Sequence, residues 1–137
     1  MSYVDILRAD LIVDEGDRSK PYIDTKGKVT IGIGRNLTDD GIAEDEKELM
    51  FSNDVGMAES IAEGLFKGFY QMSPNRQAAL ANLAFNMGER TLETFTVFIG
   101  LVNAQNWSAA ADDLLQTKWA TEVGPRAQRR ADQIRNG

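Results

Sequence analysis

The sequence predicts an α+β fold that is mostly α: a small lobe built on a β-hairpin near the N-terminus, followed by a longer helical lobe. Three observations carry that expectation. Residues 28 to 33 alternate Val29, Ile31 and Ile33 with Thr30 and Gly32, the period of a strand with one apolar face. Residues 44 to 63 place Leu49, Val55, Met57 and Ile61 at helical spacing behind an acidic first turn, where the helix dipole favours negative charge. Residues 73 to 88, SPNRQAALANLAFNMG, open on a Ser N-cap, carry Pro at the first helical position and close on Gly.

Taken in order, residues 2–15 set Val4, Leu7, Leu11 and Ile12 three and four apart, one face of an amphipathic helix, with Gly16 as a left-handed stop. Glu15 lies four residues after Leu11, on that same face. Residues 20–24 and 28–33 read as strands joined around Thr25-Lys26-Gly27, where Gly27 supplies the positive φ of a short hairpin loop. A further short strand can follow Gly34, and 36–41 reads mainly as loop. The helix over 44–63 starts after Ala43, a poor N-cap, and leaves through Gly64 and Gly68. The helix over 73–88 is apolar around its axis and is expected at the buried centre of the second lobe. Helices over 95–104, 108–118 and 125–135 complete the chain.

Composition limits the chemistry. The 137 residues, 42% of them hydrophobic, suffice for one domain with a proper core. With no cysteine and no histidine, disulfides, thiolate zinc sites, histidine bases and Ser-His triads are excluded. Carboxylates are the main reactive groups left. No apolar run approaches the roughly 18–20 residues of a membrane span, and the N-terminus lacks the apolar stretch of a signal peptide. A net charge of −6 opposes nucleic-acid binding by the molecule as a whole. The charge is uneven: a mid-chain run from Asp39 to Glu63 holds nine acids against Lys47 alone, whereas Arg126, Arg129, Arg130 and Arg135 gather near the C-terminus. Both clusters read first as solvated helix surface. GIGR at 32–35 lacks the third glycine of a dinucleotide fingerprint and opens no helix, so it reads as a strand-end bend. Trp107, Trp119, Phe85, Phe95 and Phe98 stand at helical spacing and read first as core.

Glu15 and Asp24 are the candidate pair. At a helix C-terminus and on an apolar face, Glu15 is set where its protonated, proton-donating form is favoured. Asp24, at a hairpin end among Lys20, Lys26 and Lys28, sits in a polar setting that suits a carboxylate. One acid that protonates a leaving oxygen and one carboxylate that activates water or attacks carbon are what glycoside hydrolysis requires. Thr30, on the return strand, can hold the water. From the residues alone the blander reading stays open: Glu15 a last-turn surface acid, Asp24 a turn former.

The motifs DEG (14–16), PYIDTKGKVTIGIGRNL (21–37), DDGI (39–42), RQAALANLAFNMG (76–88), FTVF (95–98), KW (118–119) and PRAQRR (125–130) occur in an order that resembles the phage lysozymes of the T-even type, the endolysins of glycoside hydrolase family 24. The resemblance implies one lysozyme-like domain over 1–137: an N-terminal lobe at about 13–50, a linking helix at about 44–63, and a helical lobe at about 65–137 with helix 2–15 packed against it. It implies cleavage of the β-1,4 bond between N-acetylmuramic acid and N-acetylglucosamine in bacterial peptidoglycan, with host lysis as the outcome. It assigns Glu15 as general acid, Asp24 as the carboxylate that activates water, and Thr30 as the residue that positions that water, usually with inversion. Arg126 matches an arginine that pairs with the catalytic acid, which would favour its ionised form and oppose the helix-end effect; Phe85 matches an aromatic lining the cleft. Asn36 is carried over weakly as a sugar contact. No cofactor and no metal are implied. The partner is peptidoglycan, without nucleic acid or stable membrane insertion. A monomer is expected, made in the host cytoplasm and reaching the wall in the periplasm through a holin-like pore. The acidic balance is unlike that of many family members. A lytic transglycosylase, or a wall-binding or phage-structural module with little turnover, are the alternative readings.

Overall fold

Ser2 starts the first helix, α1 (Tyr3–Glu15), by a reciprocal cap: its hydroxyl accepts from the Asp5 N–H at 3.3 Å while the Asp5 carboxylate accepts from the Ser2 N–H at 2.9 Å. The Ser2 hydroxyl, which donates to the Asp5 carboxylate at 2.8 Å, and after it the Ser2 N–H hold the Asp5 carboxyl below its usual range. The helix ends at Gly16, whose N–H donates to the Ile12 carbonyl; with φ 80 and ψ 172 this glycine has the positive φ expected of it but lies outside the left-handed helical region, at angles that essentially only glycine adopts. The computed structural model covers residues 1–137 and divides them into two units, Met1–Leu49 and Met50–Gly137.

In the first unit the expected hairpin is present, extended by one short strand. β1 (Arg18–Ile23), β2 (Val29–Gly32) and β3 (Arg35–Asn36) form an antiparallel sheet in the order β1-β2-β3. Tyr22 faces Thr30 and Ile23 faces Val29, with an irregularity between Arg18 and Tyr22. Thr30 faces Asn36 and Ile31 faces Arg35, so Gly32-Ile33-Gly34 form a tight connection. Part of the loop expected at 36–41 is instead a helical turn, α2 (Leu37–Asp40). Its cap, Asn36, accepts from the Asp39 N–H, a signal the sequence carries in Asn36 itself. Thr30 is the buried polar residue of the sheet. Within this unit the stripe Val4, Leu7, Leu11 and Ile12 of α1 stays uncovered.

α3 (Glu44–Leu65) runs from the first unit into the second. Ala43 is indeed a poor cap, and Glu46 makes good the deficit by accepting from the Ala43 N–H at 2.9 Å, half of a capping box. The second unit is helical: α4 (Pro74–Leu92), α5 (Thr96–Asn103), α6 (Trp107–Leu115), α7 (Lys118–Val123) and α8 (Pro125–Asn136), with a single 3-10 turn at Phe69–Gln71. Fully buried Phe66, Leu80, Leu83, Leu92, Phe98, Val102, Leu114 and Ile134 make its core.

Three expectations for this unit need correction. Gly88 does not end α4 but kinks it: with φ 78 and ψ 166 it interrupts the helix, which resumes to Leu92. Nor is α4 buried all round, since Ala79, Leu80, Leu83 and Ala84 form one buried face while Ala78, Asn82 and Phe85 are exposed. Apolar composition alone does not distinguish a central helix from one packed on a single side. The helix expected over 108–118 ends at Leu115, and a further helix that the sequence reading did not include, α7, follows it, started by Thr117, which accepts from the Ala120 N–H.

Candidate active site

Glu15 is the last residue of α1, and its side chain lies against the β2–β3 connection. A β-carbon placed ideally on Gly34 would stand 2.9 Å from Glu15 Cγ, 2.9 Å from Oε2 and 3.0 Å from Cβ. The glycine therefore leaves the space that the carboxyl side chain fills. The last turn of α1 carries no basic residue, so no lysine or arginine of the helix itself offsets its terminal carbonyls.

Asp24 closes the β1–β2 hairpin. Its Oδ1 accepts from two backbone N–H groups, Lys26 and Lys28, each at 2.8 Å, and its own N–H donates to the Lys28 carbonyl at 2.9 Å. The sequence suggests lysine ammonium groups around this acid, but the backbone does the holding, and the Lys28 ammonium pairs with Asp39 at 3.1 Å instead. Asp24 is thus a turn former in the sense of the blander reading. That role occupies one carboxylate oxygen and leaves the second without a protein partner in the hairpin, so a structural and a chemical role are compatible in one residue.

Thr30 is 4% exposed and donates its hydroxyl to the Lys28 carbonyl at 3.2 Å. With its proton so directed, the oxygen keeps its acceptor capacity for a water O–H. Asn36, opposite Thr30 in the register, uses its amide on α2: Oδ1 accepts from the Asp39 N–H at 3.0 Å and Nδ2 donates to the Asp39 carboxylate at 2.9 Å.

One feature of this unit escapes the sequence reading. Arg35 forms an ion pair with Glu46 at 2.7 Å and donates to the Gly41 carbonyl at 3.3 Å, tying β3 to the first turn of α3. The pair raises the arginine's pKa and holds the Glu46 carboxyl below its usual range. The spacing Ala43-x-x-Glu46 is a capping pattern and signals half of it; the arginine, eleven residues away, does not announce itself.

Phe85 and Arg126 belong to the second unit. Phe85 is half exposed on α4 and meets Phe51 edge to face, with ring centroids 6.3 Å apart. Arg126 is exposed in the first turn of α8, after Pro125. The remaining aromatics follow the core reading: Phe98 is buried, Phe95 and Trp107 pack partly buried against the core, and Trp119 does so while donating to Asn86 at 2.9 Å. Within the C-terminal basic run Arg135 is the residue engaged structurally. Arg135 pairs with Asp112 at 2.6 Å, and Arg76, stacked 4.2 Å from the Trp107 ring centre, donates to the Ile134 and Arg135 carbonyls that end α8.

Comparison with known proteins brings in residues beyond the site. The family described as phage lysozyme matches residues 13–133, a span that holds Glu15, Asp24, Thr30, Asn36, Phe85 and Arg126. A protein of Dictyostelium discoideum named probable T4-type lysozyme 2 is 28% identical, with 92% of this chain and 91% of the relative aligned. Probable T4-type lysozyme 1 of the same organism is 26% identical, with 90% of each chain covered. The endolysin of Salmonella phage P22 is 34% identical over 78% of this chain and 77% of its own length.

Proposed function

Because the chain belongs to the phage lysozyme family, we propose that it hydrolyses peptidoglycan, cleaving the β-1,4 bond between N-acetylmuramic acid and N-acetylglucosamine. Glu15 gives its proton to the glycosidic oxygen as the bond to the anomeric carbon breaks. Asp24, through its free oxygen, takes a proton from a water that Thr30 holds, and the resulting hydroxyl bonds to the anomeric carbon. The outcome is inversion, and the two half-reactions leave Glu15 to be reprotonated and Asp24 to release its proton to solvent.

The observation that supports this reading above the others is the joint placement in the first unit. The Glu15 carboxyl rests against the β2–β3 connection of the sheet whose hairpin carries Asp24 and whose middle strand carries Thr30. Asp24 and Thr30 have no part in a transglycosylase, which needs one acid and no activated water; their presence favours hydrolysis. Phe85, half exposed, gives the glycan an apolar contact in this proposal. The proposal places synthesis in the cytoplasm and passage to the wall through a pore made by another protein. No helix is long and apolar enough to cross a membrane.

The deciding experiment digests purified sacculi with the wild type and with Glu15→Gln, reading product mass and anomeric configuration together. Reducing ends of inverted configuration from the wild type alone are expected. 1,6-Anhydromuramic ends would replace hydrolysis by transglycosylation, binding without release would make the protein a wall-binding module, and undiminished digestion by Glu15→Gln would remove Glu15 from the mechanism.

A further inference from the structure

Two glycines flank Ile33 in the connection from β2 to β3, and both take left-handed backbone angles, φ 66 at Gly32 and φ 70 at Gly34. Their surroundings differ. A β-carbon on Gly32 meets nothing within 4 Å, whereas one on Gly34 meets three atoms of Glu15 at 2.9 to 3.0 Å. Real β-carbons essentially never approach so closely, so something must yield.

The identity of those three atoms decides what yields. Were only Oε2 in the way, the end of the side chain would swing aside at little cost. Cγ is as close as Oε2, each at 2.9 Å, and Cβ is hardly farther at 3.0 Å, and turning the outer torsions moves neither Cβ nor, for a fixed first torsion, Cγ. Relief needs a new first torsion together with a small backbone shift, of the end of α1 or of the connection that carries Gly34, and each changes where the carboxyl stands relative to the sheet.

We infer that Gly34 is a positioning residue for the reaction: by lacking a side chain it forms the seat that aims the Glu15 carboxyl at the scissile bond. The inference rests on the reading of Glu15 as the general acid. It requires that the turn be shaped by the carboxyl as well as by backbone geometry, since Gly32 meets the backbone demand without touching Glu15.

The test compares Gly34→Ala with Gly32→Ala, two substitutions at glycines of nearly equal φ of which one reaches Glu15. Gly34→Asn and Gly32→Asn form a second pair, because asparagine tolerates the left-handed region better while carrying the same β-carbon. Folding is checked by circular dichroism, kcat and KM are measured on solubilised glycan, and the Glu15 side-chain carboxyl is followed by its carbon-13 resonance. The Gly34 variants are expected to lose kcat by about 10²-fold with KM changed by less than about threefold, as a misplaced catalytic group does. Their Glu15 resonance should move, and the Gly32 variants should match the wild type in both readouts. Equal losses at positions 32 and 34, or an unmoved Glu15 resonance in the Gly34 variants, would overturn the seat. A resonance that moves on Gly34 substitution, in a protein whose wild type releases no sugar, would leave the seat standing and remove the hydrolase reading.

Discussion

Replacing Asp24 separates the turn-forming role of its carboxylate from the water-activating role proposed for it. Oδ1 accepts from the Lys26 and Lys28 N–H groups at 2.8 Å each, the first bond exposed and the second partly buried. Asp24→Ala removes both. A net hydrogen bond contributes about 0.5–1.5 kcal/mol, and N–H groups close to solvent turn to water when released, so the hairpin should lose about 1–3 kcal/mol. At about 1.4 kcal/mol per tenfold, the Lys26 and Lys28 amides should exchange hydrogen roughly 5- to 150-fold faster, provided they exchange through local opening. Asp24→Asn keeps an oxygen at the same place and should leave exchange within a few-fold of wild type while abolishing the charge proposed to activate water. Amide exchange followed by NMR, set beside sacculus digestion, reads both effects on the same samples. Full digestion by Asp24→Asn would refute the chemical role, and equal amide exchange in the Ala and Asn variants would refute the structural one.

Truncating Leu83, fully buried on α4, leaves a cavity that the surrounding helices fill only in part; Leu83→Ala should cost about 2–5 kcal/mol. Urea unfolding followed by the fluorescence of Trp107 and Trp119, both in the second unit, measures it, and a loss below about 1 kcal/mol would mean that this core relaxes freely. Tyr70 donates its hydroxyl to Glu59 at 2.8 Å, and that bond, with burial and the Glu59 and Glu63 charges, pushes its pKa up to about 12. Because the folded value lies above the ordinary one, the contribution to stability is complete below the ordinary tyrosine range and is lost as pH rises through about 12. A tyrosinate absorbance titration should show one of the three tyrosines ionising late, and Glu59→Gln should bring it back toward the others; a single common transition in the wild type would contradict the pairing.

The helices were legible in the sequence because their ends are chemical. Ser73-Pro74 starts α4, Pro125 starts α8 and acids open α3, each a local signal acting over one turn. Where the reading fell short, the missing information was also local but weaker: Ser2 with Asp5, Asn36 over α2, and Thr117 over α7 are caps that apolar spacing passes over. The kink at Gly88 is of another kind. A glycine near the end of an apolar run signals a break but not whether the chain resumes its helix afterwards, since that depends on whether Leu92 finds a buried place.

By itself the sequence determined the order of the elements, left carboxylates as the main reactive groups and singled out two candidate acids, because periodicity, capping and the lack of histidine and cysteine all act along the chain. Tertiary structure alone decided which atoms meet. That Asp24 is held by backbone N–H groups rather than by lysines, that Arg35 reaches Glu46, and that the Glu15 carboxyl fills the space Gly34 leaves open all depend on approaches through space. Residues 15 and 34 are nineteen apart in the chain, and only the folding of the sheet back toward the end of α1 makes them neighbours.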